Sequence, residues 1–116
     1  MKLRLRANTI RLRLLKAEVD QLALGQAITE SLPTPRPFSY SVVPASVSDL
    51  EAHYEADTLT IRVPADWASQ WALNQEVGRQ STSGPLDILI EKDWACTTPR
   101  QGEENVGTYP NPTALR

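Results

Sequence analysis

A segment of 23 residues recurs in this chain 49 positions later, and this repeat restricts the possible folds more than any other feature of the sequence. RANTIRLRLLKAEVDQLALGQAI (residues 6–28) aligns without a gap with EADTLTIRVPADWASQWALNQEV (residues 55–77). Roughly one or two identities are expected by chance at one fixed offset. The alignment contains seven: Ala7/Ala56, Thr9/Thr58, Arg13/Arg62, Gln21/Gln70, Ala23/Ala72, Leu24/Leu73 and Gln26/Gln75. The sequence therefore predicts two copies of one structural unit.

Each copy of the unit begins with a pattern that is typical of two strands followed by a helix. In the first copy, apolar and polar side chains alternate strictly over residues 2–6 and again over residues 9–14, as in half-buried strands. Ala7-Asn8 lies between them and predicts a tight hairpin turn, because Asn tolerates a positive φ. After Leu14 the apolar spacing becomes helical, and Gly25 is the expected C-terminal cap.

Further alternating segments extend each copy to the order ββαββ. They lie near residues 38–42, 50–55 and 86–91, and shorter strands are predicted near 27–32 and 76–81. We therefore predict an α+β fold with two copies at about residues 2–43 and 51–93, related by a pseudo-twofold axis. The expected architecture is a curved, mainly antiparallel sheet, or a barrel, covered by two helices. Residues 1–96 would form one domain, and residues 97–116 an irregular C-terminal tail.

Composition places the chain among soluble globular proteins. It has 116 residues, of which 41% are hydrophobic and 22% are charged, and no apolar run is long enough to span a bilayer. Alternating Arg and Leu replace the continuous apolar segment of a secretory signal at the N-terminus. A single cysteine, Cys96, excludes an intrachain disulfide and fits a reducing compartment. We expect a cytoplasmic protein without a membrane partner.

Charge is distributed unevenly along the chain. Residues 1–16 carry six basic side chains and no acidic one, whereas the remainder carries six basic and 14 acidic side chains. A two-residue turn places Arg4 opposite Arg11 and Lys2 opposite Arg13, and directly opposed like charges destabilise a strand pair by about 0.2–1 kcal/mol. Acids on neighbouring strands (Glu51, Glu55, Asp87, Glu91), a partner chain, or a bound anion could offset this repulsion. We favour internal ion pairing, since charge runs usually form solvated faces.

Anion binding is the alternative interpretation of the basic hairpin. Its candidate residues are Arg4, Arg11, Arg13 and Arg62. If the sheet closed with its polar face inward, a tunnel holding a polyphosphate and a divalent metal would be conceivable, but triphosphate-tunnel enzymes begin with clustered glutamates that this chain lacks. Nucleic acid is disfavoured as a partner, because the hairpin has no aromatic residue and the isoelectric point is about 5.3.

Residues for catalysis or metal binding are scarce. His53 and Cys96 are the only residues of their kinds, so no Ser-His-Asp set or metal site is indicated, and no cofactor is predicted. Three tryptophans form the remaining candidate site. Trp67 and Trp71 lie one helical turn apart and Trp94 ends a strand; we favour core packing for them, and exposure would instead mark a contact surface for another subunit.

Several short elements together resemble a family of small bacterial proteins of unknown function. They are MKLRLRANTIRLRL, residues 60–64 (TIRVP), residues 89–96 (LIEKDWAC) and residues 109–112 (YPNP). The resemblance covers nearly the whole chain and implies no activity.

Two functional hypotheses follow from these patterns. The first is a non-enzymatic protein, a homo-oligomer, that acts through self-association or protein binding at its exposed strand edges. The second is a protein or enzyme that binds a small anion or a phosphometabolite on its basic strand face.

Overall fold

The computed structural model describes residues 1–93, and Trp94, Cys96 and the predicted tail lie outside this range. Eight strands and two helices occupy it. They are β1 (Lys2–Arg6), β2 (Thr9–Leu14), α1 (Lys16–Ala23), β3 (Ile28–Leu32), β4 (Phe38–Ala45), β5 (Glu51–Glu55), β6 (Thr58–Pro64), α2 (Ala65–Trp71), β7 (Gly78–Ser83) and β8 (Leu86–Lys92). This is the predicted order ββαββ, followed by ββαββ again. The α+β class is therefore confirmed.

The strands form where the alternating pattern predicts them. On β2 the apolar side chains Ile10, Leu12 and Leu14 are buried, while Arg11 and Arg13 between them are half-buried on the opposite face. The first helix buries Val19 and Leu22 and is followed by Gly25, whose φ of +82° suits the predicted cap. Neither helix within residues 1–93 is long and apolar enough to cross a membrane.

The strands make two sheets and not one curved sheet. Sheet 1 has the order β1-β2-β8-β7, and sheet 2 has the order β3-β4-β6-β5. Four of the pairings within residues 1–93 are antiparallel, whereas β2–β8 and β4–β6 are parallel, so both sheets are mixed. The predicted closed barrel is wrong for residues 1–93.

A single hydrophobic core explains why a polar tunnel does not form. The buried cluster includes Leu12 and Ile90 from sheet 1, Val42 and Ile61 from sheet 2, and Trp71 from α2. Each sheet contributes its apolar face, and the two helices contact each other. Because apolar side chains fill the interior, the polar faces of both sheets point outward. The enclosed polar cavity that the triphosphate-tunnel hypothesis requires has no counterpart in the described part of the chain.

Exchanging the two halves of the chain converts the strand order of one sheet into that of the other. Each sheet combines the first hairpin of one half with the second hairpin of the other half. The corners correspond as well: the Met1 amino group contacts Glu30 Oε1 at 3.0 Å, and the Leu50 amide donates to Ser81 Oγ at 3.1 Å. This correspondence agrees with the predicted pseudo-twofold arrangement, although descent from a duplicated segment stays a prediction.

Candidate anion-binding face

The outward face of sheet 1 gathers five basic side chains on its first two strands. The strand register pairs Lys2 with Arg13, Arg4 with Arg11, and Arg6 with Thr9. We call this set of six residues the basic face. Since the leucines and isoleucines of β2 occupy the opposite, buried face, the strand alternation directs all six side chains toward solvent.

Glu91 on β8 holds two of these arginines. Its Oε1 atom lies 2.7 Å from Arg11 Nε, 2.6 Å from Arg11 Nη2 and 2.9 Å from Arg13 Nε. The parallel pairing of β2 with β8 brings this carboxylate to the row of Arg13, and only 12% of its side chain is exposed. One carboxylate therefore forms ion pairs with two guanidinium groups. Internal ion pairing, the favoured prediction, is what the structure shows for Arg11 and Arg13.

Lys2 has a different partner at the end of the same sheet. Its Nζ atom lies 3.0 Å from Oδ2 of Asp93, whose side chain is 5% exposed. This pair does not have hydrogen-bond geometry, and Oδ2 accepts no hydrogen bond within residues 1–93. The carboxylate is therefore balanced in charge, while one oxygen lacks the directional bond that buried acids usually receive.

Arg4 and Arg6 differ from the other cations of the basic face. Both side chains are exposed, and neither guanidinium group forms an ion pair or hydrogen bond with any residue in the range 1–93. Asp87 lies in the row of Arg6, but Thr9 on β2 separates them, and the Asp87 carboxylate forms no ion pair in the described range. Two positive charges thus remain available on the strand that forms the edge of sheet 1.

Two depressions flank the row of Arg4 and Arg11. The larger has a volume of about 450 Å³ and is lined by Arg4, Arg6, Ala7, Thr9, Arg11 and Leu89. The smaller has a volume of about 210 Å³ and is lined by Lys2, Leu3, Arg4, Arg11 and Arg13. Both are open at the surface of the sheet, and both include the unpaired Arg4. Phosphate and carboxylate groups are the ligands that guanidinium and hydroxyl donors recognise.

The structure separates Arg62 from the other predicted anion-binding residues. It lies on β6 in sheet 2, where the predicted pairing with Glu51 is confirmed by the strand register and the charged atoms are 4.0 Å apart. Glu51 and Glu55 are therefore wrong as partners of the basic hairpin, because β5 belongs to the other sheet. Conversely, Lys2, Arg6 and Thr9 complete the face although the site prediction omitted them. The alternation that identified Arg4 was the signal that could have found them.

The acids nearest the start of β1 are engaged elsewhere. The Met1 amino group lies 2.9 Å from Glu18 and 3.0 Å from Glu30, and Glu30 also accepts a 2.7 Å hydrogen bond from the Tyr40 hydroxyl. Burial alone would lower the pKa of the Met1 amino group, but the hydrogen bonds to Glu18 and Glu30 raise it. Burial, reinforced by Glu30, raises the pKa of Tyr40 to about 12. This network engages both carboxylates with Met1 and Tyr40, and neither carboxylate forms an ion pair with a side chain of the basic face within residues 1–93.

Trp67 and Trp71 on α2 do not form an exposed cluster. Trp71 is fully buried, and Trp67 is half-buried against it with ring centroids 4.6 Å apart. Their indole nitrogens donate to Glu76, Trp67 to the carboxylate at 3.1 Å and Trp71 to the carbonyl at 2.9 Å. Core packing therefore describes Trp71, which no partner could reach in this conformation. Trp94, the third predicted contact residue, lies outside the described residues.

Comparison with known proteins assigns the chain to a family and to no activity. Residues 1–113 match a family of unknown function, DUF7009, so the chain belongs to that family, and the expected membership in a family without assigned function is confirmed. No curated protein and no solved structure matches the chain. Within residues 1–93 there is also no group of three or more His, Cys, Asp or Glu side chains that could hold a metal ion.

Proposed function

We propose that this protein is a non-enzymatic binding protein whose basic face takes an anionic partner. The observation that carries the proposal is the pair of exposed guanidinium groups on Arg4 and Arg6, which have no counter-charge in residues 1–93. An exposed arginine without a partner is ordinary when it is alone. Here two of them lie next to Lys2, Arg11 and Arg13. Glu91 and Asp93 are the only acids of the described range that pair with those three, so the face has a local excess of positive charge over residues 1–93, on a chain whose net charge is −2.

Comparison of the two halves supports the same conclusion. The repeat, which we attribute to a duplicated segment, places Glu51, His53 and Glu55 of β5 at the positions of Lys2, Arg4 and Arg6 of β1. Both strands fold in the same way, so the fold itself does not require a basic strand at this position. We therefore attribute the charge of Arg4 and Arg6, unlike that of the ion-paired Lys2, Arg11 and Arg13, to what sheet 1 binds.

Binding of simple polyanions tests this proposal. Tripolyphosphate and citrate, titrated at low ionic strength and followed by nuclear magnetic resonance, are expected to shift the signals of Arg4, Arg6 and Thr9. Arg4→Gln with Arg6→Gln should weaken binding about tenfold or more, and added salt should weaken it further. Asp87→Asn should strengthen binding because it removes the nearby acid.

A matched control uses the other sheet. Arg62 occupies the position in sheet 2 that Arg13 occupies in sheet 1, so Arg62→Gln removes the same charge from the same kind of strand. This variant should bind as the unmodified protein does. Equal losses in the Arg4/Arg6 and Arg62 variants, or no binding of either anion, would contradict the proposal.

Self-association is a second candidate function, favoured by a separate observation. Three of the four edge strands expose a large hydrophobic side chain: Leu5 on β1 is 56% exposed, Leu32 on β3 is 50% exposed, and Tyr54 on β5 is 63% exposed. Open edges with apolar side chains invite pairing between chains. Sedimentation velocity at micromolar concentration tests this candidate, and a single monomeric species would eliminate it. Either function fits the bacterial, cytoplasmic protein that we expect from the sequence.

A further inference from the structure

The edge of sheet 1 differs from its counterpart in sheet 2 in how its backbone is covered. The amides of Leu50, just before β5, and of Ala52 on β5 donate to the hydroxyl groups of Ser81 and Ser83 on β7, at 3.1 and 3.2 Å. These two bonds close the corner between the sheets. They also leave less of the β5 edge available to another chain.

The corresponding corner beside β1 is closed only at its beginning. Glu30 takes the position of Ser81 and contacts the Met1 amino group, but Leu32 takes the position of Ser83 and has no hydroxyl to accept the amide of Leu3. No side chain within residues 1–93 accepts a hydrogen bond from the amide of Leu3 or Leu5. With respect to residues 1–93, strand β1 is thus an edge at which the amides of Leu3 and Leu5 remain open.

The side chains of β1 define what could pair with this edge. Lys2, Arg4 and Arg6 lie on the outward face, while Leu3 packs against the core and Leu5 is 56% exposed on the inner side. A strand added beside β1 would place every second side chain next to these cations and the intervening side chains next to the leucines. The complementary sequence alternates acidic with apolar residues.

We propose that the anionic partner of the basic face is an acidic peptide segment that adds to sheet 1 as a ninth strand along β1. This inference rests on the proposed function, because it requires that Arg4 and Arg6 receive their counter-charge from a partner. Backbone hydrogen bonds to Leu3 and Leu5 would provide affinity, and acids at alternate positions would provide specificity. A second copy of this chain fits less well, because Ala52 on β5, its alternating acidic strand, already donates its amide to Ser83 within the molecule.

Synthetic peptides separate strand addition from general anion binding. The probe is a capped peptide in which three Glu residues alternate with Val and Thr. One control has the same composition with the three Glu residues adjacent, and a second carries N-methyl groups on alternate amides, which removes half of its donors. We expect the alternating peptide to bind at least tenfold more tightly than either control. Hydrogen exchange at the Leu3 and Leu5 amides should slow when it is bound, while exchange at Ala52 should not change.

The possible results distinguish this inference from the proposed function. If tripolyphosphate and all three peptides bind equally, and the Leu3 and Leu5 amides stay unprotected, the anion-binding function holds and strand addition is excluded. If neither anions nor peptides bind, both proposals fail. Protection of Leu3 and Leu5 that rises with protein concentration in the absence of peptide would identify a second copy as the occupant, and would overturn the inference. The Arg4→Gln/Arg6→Gln variant should lose the alternating peptide, while Arg62→Gln should retain it.

Discussion

At the scale of single residues, the hairpin turns carry backbone strain at positions that the sequence only partly predicted. Ala7, Ala56 and Asp57 have positive φ values of 50°, 51° and 59°. Asn8, the residue expected to take this conformation, is not among them. Its side chain donates to the Pro85 carbonyl at 3.0 Å, and its own carbonyl accepts the Asp87 amide at 2.9 Å. Asn8 therefore links the first hairpin to β8, and Ala7 adopts the left-handed conformation in its place.

Glycine at these turns should stabilise the protein. A positive φ is unfavourable for alanine and neutral for glycine, so Ala56→Gly should raise the free energy of unfolding by about 0.5 kcal/mol, after the entropic cost of glycine in the unfolded chain. Urea unfolding measures the change. As a matched control, Ala17→Gly in the exposed part of α1 should lower the free energy of unfolding by about 0.5–1 kcal/mol. Effects of the same sign at both positions would show that the turn is not strained.

Tyr40 should titrate at a higher pH than an ordinary tyrosine, because its phenol is partly buried and its hydroxyl donates to Glu30. Its pKa is raised to about 12 from an ordinary value of 10.0, so folding favours the neutral phenol. The resulting stabilisation is complete below about pH 10 and is lost as the pH rises through about 12. The ultraviolet absorbance of tyrosinate, followed together with circular dichroism, should show a late phase that Tyr40→Phe removes. Glu30→Gln should move this phase to lower pH, and an unchanged phase in that variant would contradict the assigned cause.

At the scale of elements, the second helix is fixed by a stack of two indoles between two cations. Lys92 Nζ lies 5.7 Å from the centre of the Trp71 ring, and Arg79 Cζ lies 5.6 Å from that of Trp67. Arg79 in turn donates to Asp49 at 2.8 Å, and this hydrogen bond lowers the pKa of the Asp49 carboxyl group. The stack therefore joins α2 to β7 and β8 through attraction between cations and aromatic rings.

The two tryptophans should contribute unequally to stability. Trp71 is fully buried, and the position matched to it in the first half is Leu22, so leucine is compatible with the backbone there. Trp71→Leu should nevertheless lower the free energy of unfolding by about 2–3 kcal/mol, because it leaves a cavity in the core. Trp67→Leu should cost about 1 kcal/mol or less, since its ring is only partly covered. Urea unfolding of both variants tests this, and equal losses would refute the assigned burial.

The sequence predicts an element well when neighbouring residues determine it, and poorly when contacts between distant parts of the chain determine it. Strand β2 and helix α1 follow from side-chain periodicity, which neighbouring residues determine, and both were predicted. The parallel pairing of β2 with β8 joins Thr9 to Asp87 across the whole described chain, and no local pattern reports such a contact. For the same reason Arg4, Arg11 and Arg13 were placed together correctly, while Arg62 and the acids Glu51 and Glu55 were assigned to the wrong neighbourhood.

At the scale of the whole molecule, each sheet depends on both halves of the chain. The parallel pairings β2–β8 and β4–β6 each join a strand of one half to a strand of the other half. An isolated half would consist of two hairpins whose inner strands have lost their partners. Neither half alone could bury the apolar faces of its two hairpins, because in the native core those faces pack against side chains from the other half.

The two halves should therefore fold only together. Residues 1–46 and 47–116, produced separately, should each lack a cooperative unfolding transition by circular dichroism. The described elements of each half span only 46 or 47 residues (1–46 and 47–93), and a chain of about 40 residues rarely sustains its own core. Mixing them should restore the spectrum of the intact protein, since the break falls in the connection between β4 and β5 and interrupts no strand. A cooperative transition in either half alone would show that the ββαββ unit is an independent domain. In that case the combination of hairpins from both halves in each sheet would not be needed for stability. The basic hairpin β1–β2 would then fold without β8 and Glu91.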